Sequence, residues 1–331
     1  MRGAATSLDL LVVGAGPTGI AVGAEARAAG LSVLLVDRGP LTANLLEMPV
    51  YMRFFTTRDK LEIADVPFTS ADDKPDLRQA LVYYRAVVER HELPLALHEE
   101  VLAVEAQSAG FAVRARSRQG ESVRLARAVV VATGYFGTPR RLGMPGEERP
   151  WVRQRYREPY RHSNERVVLV GGGNSVCEAA LELWRAGARV TLVVRRSELK
   201  PSIKYWLKPD IENRIEEGSV SALFQTTVES FGDRVVAVRG PGGRQTLAAE
   251  AAYVLIGYDT DAALLRRCGI EVDPDTLAPT FGEATCETNV LGLYVAGTVQ
   301  SGRDTNHIFI ENSRDHGQRI VRHLVARRFA G

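Results

Sequence analysis

Two short glycine-rich loops carry the plainest chemistry in this sequence. Gly14-Ala15-Gly16-Pro17-Thr18-Gly19 follows an apolar run and opens a stretch of small residues that reads as a helix. At this spacing the first glycine makes a tight turn. The second lets a pyrophosphate approach the backbone, and the third lets helix and strand pack closely. The helix N-terminus then turns its positive dipole end toward the phosphates. Asp37 and Arg38 close the next apolar run, where a carboxylate accepts hydrogen bonds from ribose hydroxyls. Gly171-Gly172-Gly173-Asn174-Ser175-Val176 is the second loop, with Val176 in place of its last glycine. Gly171 and Gly173 keep the phosphate side open, and Asn174 and Ser175 begin the helix behind them. Here the following run ends in Arg195-Arg196, with Lys200 and Lys204 close behind. A carboxylate at that place repels a 2′-phosphate and arginines pair with it bidentately. The second loop is therefore expected to hold NADPH, with Lys200 and Lys204 either extending the basic pocket or lying as ordinary surface charges.

Each loop needs a strand in front and a helix behind, and the chain supplies both twice. Leu8–Val13, Pro17–Ala29 and Leu31–Val36 read as strand, helix and strand. Arg166–Val170, Ser175–Ala186 and Val190–Val194 repeat the order. Three further apolar strands end at glycines: Val129–Val131 runs into Ala132-Thr133-Gly134, Tyr253–Ile256 into Gly257, and Leu293–Ala296 into Gly297-Thr298. Leu81–Glu92 has helical amphipathicity. Glu99–Ala115 and Ser122–Val131 alternate like strands of an antiparallel excursion. Arg140–Asn164, rich in Pro, Arg and Gly, is expected to be a linker. Strands are expected at Ser219–Val228, Arg234–Arg239 and Gln245–Leu247, and a last helix at Ile308–Arg327 just after His307. The fold class is α/β with two Rossmann-like dinucleotide-binding domains.

The length of 331 residues suits two domains, and the net charge of +2 gives no bias toward nucleic acid. No stretch approaches a membrane span, and Met1–Leu8 lacks a signal-peptide pattern, so a soluble cytoplasmic protein is expected. The three cysteines, Cys177, Cys268 and Cys286, show no disulfide framework, no metal spacing and no Cys-x-x-Cys. Cys177 lies in the first helical turn after the second loop. It is either a thiol made reactive by the helix dipole or, on the plainer reading, a small residue packed under the loop.

Together the two loops and the glycine-ended strands resemble the two-dinucleotide-domain flavoproteins close to thioredoxin reductase. That likeness implies FAD on Gly14–Gly19 and a split FAD domain, 1–139 and 262–331, with an NADPH domain, 140–261, inserted. It implies contacts to FAD from Thr133, Gly134, Gly297, Thr298, His307 and Ile308. The end of the helix near Ile308 would stabilise charge on the reduced flavin, and Ile256 and Gly257 would line the NADPH side. A narrower likeness lies in Phe54-Phe55-Thr56-Thr57, Lys60–Phe68, Gln79–Arg85, Ser202-Ile203-Lys204 and Ile308-Phe309-Ile310-Glu311-Asn312. These segments are similar to bacillithiol disulfide reductases. The resemblance implies NADPH-dependent reduction of a low-molecular-weight disulfide, often by a homo-oligomer.

Three departures qualify the likeness. Trp151–Asn164 has no cysteine, which excludes the dithiol relay of thioredoxin reductases. Thr18 stands where the narrower family commonly has Cys. Thr298 stands where the broad superfamily usually has an Asp on the flavin's ribitol, so backbone amides near Gly297 are expected there instead. The same residues are compatible with a ferredoxin- or flavodoxin-NADP reductase, whose acceptor is a small redox protein. A flavin monooxygenase or a non-enzymatic redox sensor fits less of the sequence. His307 either donates a proton or caps the last helix.

Overall fold

The computed structural model describes residues 7–328, so Met1–Thr6, on which the N-terminal targeting expectation rests, lie outside the described residues. The chain forms two compact units. The first runs to Glu47, resumes over Tyr51–Thr138 and returns from Tyr258 onward. The second comprises Met48–Val50 and Pro139–Gly257.

Strand β1 (Leu8–Val13), helix α1 (Pro17–Ala28) and strand β2 (Val33–Asp37) form the first β-α-β unit. Helix α1 is apolar nearly all round and correspondingly buried. Its small residues let it lie close to the sheet: a Cβ on Gly23 would stand 2.7 Å from Leu35 Cδ1. Two one-turn helices follow, α2 (Ala43–Leu46) and α3 (Arg58–Leu61). Helix α4 (Leu77–Arg90) starts four residues before the expected Leu81 because Asp76 and Gln79 form a reciprocal capping box. Strands β3 (Leu95–Leu97), β4 (Glu100–Gln107), β5 (Gly110–Ser117) and β6 (Gly120–Val131) come next. The β4–β5–β6 run is the antiparallel excursion.

In the second unit β7 (Val152–Arg153) lies inside the stretch expected to be a linker. It joins the sheet through parallel pairing with a strand about a hundred residues away, which composition cannot reveal. Strand β8 (Arg166–Val170), helix α5 (Asn174–Arg185) and strand β9 (Arg189–Val193) form the second β-α-β unit. Helix α6 (Lys208–Glu216) and strand β10 (Ser221–Leu223) follow. The expected strand Ser219–Val228 is broken: Gln225 adopts a positive φ of 49° between β10 and β11 (Thr227–Phe231). Strands β12 (Val235–Gly240) and β13 (Gly243–Ala248) complete a three-stranded antiparallel sheet with β11, and β14 (Ala251–Val254) returns to the parallel sheet.

Back in the first unit come α7 (Ala262–Arg267), β15 (Leu293–Val295) and α8 (His316–Arg328). The last helix begins at His316 and not at the expected Ile308. Asn312 receives the Phe309 N–H at 2.7 Å and donates to the His307 carbonyl at 2.6 Å, while Ser313 donates to the Phe309 carbonyl. These side chains satisfy the backbone as a set of turns and displace the helical pattern.

Each unit has a parallel core of five strands, four of them in the same order; the fifth is the last strand of the chain in the first unit (β15) and the first strand of its unit in the second (β7). In the first it is β3-β2-β1-β6, with β15 on the far side of β6; in the second it is β10-β9-β8-β14-β7. All these pairings are parallel. The chain order reverses beside β1 in one unit and beside β8 in the other. The crevice at such a switch point is where open α/β sheets bind ligands.

Candidate functional site

Register brings the glycine-ended strands together at the first switch point. Val13 pairs with Val131, so Gly14 and Thr133-Gly134 leave the sheet side by side. Gly14 has φ +113°, and a Cβ there would stand 2.5 Å from the Ala132 carbonyl oxygen. A Cβ on Gly19 would run into the Gly14 carbonyl, whereas one on Gly16 would meet nothing within 4 Å. Gly14 and Gly19 thus serve the turn and its packing, and Gly16 borders open space at the N-cap of α1, with Pro17 in the first turn.

Asp37 stands at the tip of β2. Its carboxylate accepts the Ala15 N–H and the Gly39 N–H, both at 2.8 Å. Burial raises its pKa against these two bonds and the nearby Arg38 charge. The Arg38 guanidinium lies against Gly137. Gly14, Asp37, Arg38, Asn44, Thr133 and Gly134 line one groove together with Glu99 and Arg267. Glu99 is buried and bound by both Arg124 guanidinium nitrogens, so its charge is met inside the protein.

The C-terminal return of this unit folds onto the same loop. A Cβ on Gly134 would stand 2.9 Å from Thr298 Oγ1, and one on Gly297 would stand 2.6 Å from Thr18 Oγ1. The Gly297 N–H is already bonded to His316 Nδ1 at 3.0 Å, so that amide is not free in the way expected for it. Because Nδ1 accepts, His316 is neutral with its proton on Nε2, and burial holds its pKa down to about 4. Thr18 Oγ1 is 3.2 Å from Ser313 Oγ, which itself donates to the Phe309 carbonyl at 2.6 Å. His307 and Ile308 lie on the turns ahead of α8. His307 caps no helix, and its imidazole faces Asp304 at 2.9 Å with most of the ring in solvent.

In the second unit Val170 pairs with Val254, which sets Gly171 beside the Leu255–Gly257 exit. A Cβ on Gly171 would stand 2.6 Å from the Leu255 carbonyl oxygen and 2.8 Å from Val176 Cγ2. Val176 therefore fills the space of the missing glycine as buried core. The Gly257 carbonyl accepts the Arg140 N–H, which ties off the strand after Ile256. Gly173 caps α5, and the Lys200 side chain passes above it, with Cδ 3.7 Å from where a Cβ would be. Asn174 accepts the Lys204 N–H at 2.9 Å, which pins the Lys200–Lys204 segment over the start of α5 beside Ser175. Lys204 Nζ pairs with Glu178 at 2.6 Å, so Lys200 is the nearer cation for the loop. Arg195 and Arg196 follow β9 as exposed side chains with no ionic or hydrogen-bonded partner among the described residues. Cys177 is fully buried, and burial pushes its thiol up to about 12, in line with the packed reading.

The sequence profile of the pyridine nucleotide-disulphide oxidoreductase family matches residues 11–297. The bacilliredoxin reductase of Bacillus subtilis is 34% identical over 96% of this chain and 97% of its own length. The chain belongs to the bacillithiol disulfide reductase family of pyridine nucleotide-disulphide oxidoreductases. The solved bacillithiol disulfide reductase of Bacillus cereus superposes with a TM-score of 0.94 at 33% identity, covering 97% of this chain and all of the other. That of Staphylococcus aureus gives 0.92 at 33% identity, over 97% and 99%.

As a member of the bacillithiol disulfide reductase family the protein is an oxidoreductase with the two-unit Rossmann-like fold expected from its loops. Among the described residues no helix is long and apolar enough to cross a membrane. Asn44, Ser313 and His316 join the site without a signal in the sequence. Asn44 holds the Thr133 carbonyl at 3.1 Å from a helix of four residues, too short to leave a pattern. Ser313 and His316 were hidden inside an expected helix; the Asn-x-x-x-His spacing in it gives no local signal of a contact to Gly297.

Proposed function

We propose that the protein is an NADPH-dependent FAD enzyme that reduces a low-molecular-weight disulfide, bacillithiol disulfide, as a cytoplasmic homo-oligomer. The full-length likeness to bacillithiol disulfide reductases carries this reading.

Both sets of residues fit their dinucleotides. In the first unit the Thr133 hydroxyl is buried with no hydrogen-bond partner among the described residues, and Thr133 lines the groove with Gly14. A buried hydroxyl of this kind calls for a polar ligand atom. Gly14, Gly16, Pro17, Thr18 and Gly19 would hold the FAD pyrophosphate at the α1 N-terminus. Asp37 and Arg38 would hold its ribose and adenine end, with Thr133, Gly134, Gly297 and Thr298 along the rest. His307 and Ile308 would border it from their turn; the helix end expected beside them stands at His316. In the second unit Gly171, Gly173, Asn174 and Ser175 would seat the NADPH pyrophosphate with Lys200, and Arg195 and Arg196 its 2′-phosphate, with Ile256 and Gly257 flanking. Opposite charges at the ends of β2 and β9 support two different nucleotides, since Asp suits a free ribose and Arg a phosphorylated one. FAD when bound supplies two-electron transfer between a nicotinamide and an acceptor, and the protein orients both.

The test is NADPH oxidation by the purified holoenzyme with and without bacillithiol disulfide. Disulfide-dependent turnover with release of two thiols per NADPH is expected. Oxidation no faster with the disulfide, together with rapid cytochrome reduction through added ferredoxin, would replace this reading by a ferredoxin reductase.

A further inference from the structure

A disulfide is opened either by attack of a thiolate, which leaves a mixed disulfide, or by direct two-electron reduction. The first route needs an accessible thiol with thiolate character. The chain has three cysteines, none in a disulfide, and all lie within the described residues. Cys177 is in the core of the second unit, packed among β8, β9 and α5, and none of its surface is exposed. Cys268 ends α7 inside the core of the first unit and is 4% exposed. Cys286 is 1% exposed and faces Gln300, whose own amide is tied to the Val295 carbonyl. Burial raises all three thiols, Cys177 to about 12 and Cys268 to about 11. An ordinary thiol is a few per cent thiolate near neutral pH; Cys177 and Cys268 are orders of magnitude below that, and burial shifts Cys286 in the same direction.

The first turn of α1 is the place by the groove where a helix N-terminus would acidify a thiol, and it holds Thr18. The Ser313 proton goes to the Phe309 carbonyl, so the Thr18 hydroxyl donates to Ser313 and both hydroxyls are engaged within the protein. An alcohol does not exchange with a disulfide.

We infer that this chain reduces its disulfide without any bond between the protein and the substrate's sulfur, an inference that rests on the disulfide reading proposed above. The balance is NADPH + H⁺ + RSSR → NADP⁺ + 2 RSH. The S–S bond is broken by the two electrons NADPH gives up as a hydride, and the second proton comes from solvent. Substrates are then limited to disulfides small enough to reach the reduced cofactor itself. Protein disulfides are served only through the small thiol that the reaction releases.

Two measurements test this. First, holoenzyme reduced with NADPH is treated with bacillithiol disulfide, quenched in acid and weighed intact under non-reducing conditions. Unchanged protein mass with continuing turnover is expected, and a bacillithiol adduct on any cysteine overturns the inference. Second, Cys177→Ala/Cys268→Ala/Cys286→Ala is compared with the parent, with NADPH bleaching of the flavin as the check on folding. Disulfide turnover within twofold of the parent is expected. A loss of tenfold or more with bleaching intact overturns the inference and leaves the proposed function standing. A parent that bleaches with NADPH yet never turns over the disulfide overturns both.

Discussion

Acid should unfasten the turn that carries Gly297, and His316 sets the pH at which it happens. Its Nδ1 accepts the Gly297 N–H, which requires the neutral ring. Burial is the main cause of its low pKa. Arg319 pushes the same way and Asp315 opposes. The place at the start of α8 adds a positive dipole end that also disfavours the charged form. Unfolded, the ring titrates at 6.5; folded, at about 4. As pH falls, the unfolded chain takes up this proton first, so stability is complete above 6.5 and drains away as pH drops toward 4. Linkage with these two values gives a loss of about 1.2 kcal/mol between pH 7 and 5.5 and about 2.4 kcal/mol by pH 4.5. His316→Asn supplies an amide oxygen near the Nδ1 position and cannot titrate. The difference in urea midpoint between parent and variant, with m unchanged, should therefore move against the parent by these amounts, every other titrating group cancelling. An imidazole NMR titration identifies the His316 resonance by its absence from the variant. A parent–variant difference that stays flat from pH 7 to 4.5, or a His316 resonance that titrates near 6.5, would refute the reasoning.

Other perturbations separate the roles given to individual residues. Arg195→Ala/Arg196→Ala should raise KM for NADPH about 10- to 100-fold, the worth of one or two charge-assisted hydrogen bonds, and leave KM for NADH nearly unchanged; steady-state kinetics with an unaltered preference would take the 2′-phosphate away from these arginines. Gly16→Val points into open space, so the apoprotein should keep its thermal midpoint while the purified protein loses bound flavin. Gly19→Ala drives a Cβ into the Gly14 carbonyl and should lower the midpoint of the apoprotein itself; equal behaviour of the two variants would contradict the division of labour in the loop. Asp76→Ala removes one half of the α4 capping box and should cost about 1 kcal/mol in urea unfolding with no change in cofactor content.

What could be read in the sequence was whatever the chain settles locally. The β1-α1-β2 and β8-α5-β9 units follow from apolar runs, glycines and a helix start within a few residues of one another, and they form where the patterns put them. The capping box at Asp76 and Gln79 is equally local and sets the start of α4. The start of α8 turned on a competition between two local outcomes. Apolar spacing favoured a helix from Ile308, and the Asn312 and Ser313 bonds to the backbone of His307 and Phe309 favoured turns. Strand β7 was beyond local reading, because two residues become a strand only when β14 is beside them. The site shows the same division. Gly14 and Thr133 are far apart in the chain, and their meeting depends on β6 pairing with β1, a long-range choice made by the sheet. Once that choice is made in both units, the order of the four strands around each loop coincides and the loops have the same supports. The two crevices then differ chiefly in what closes the second strand, a carboxylate held by Ala15 and Gly39 in one and two unpaired arginines in the other. The shared architecture accounts for two dinucleotide sites, and these few side chains account for their being different.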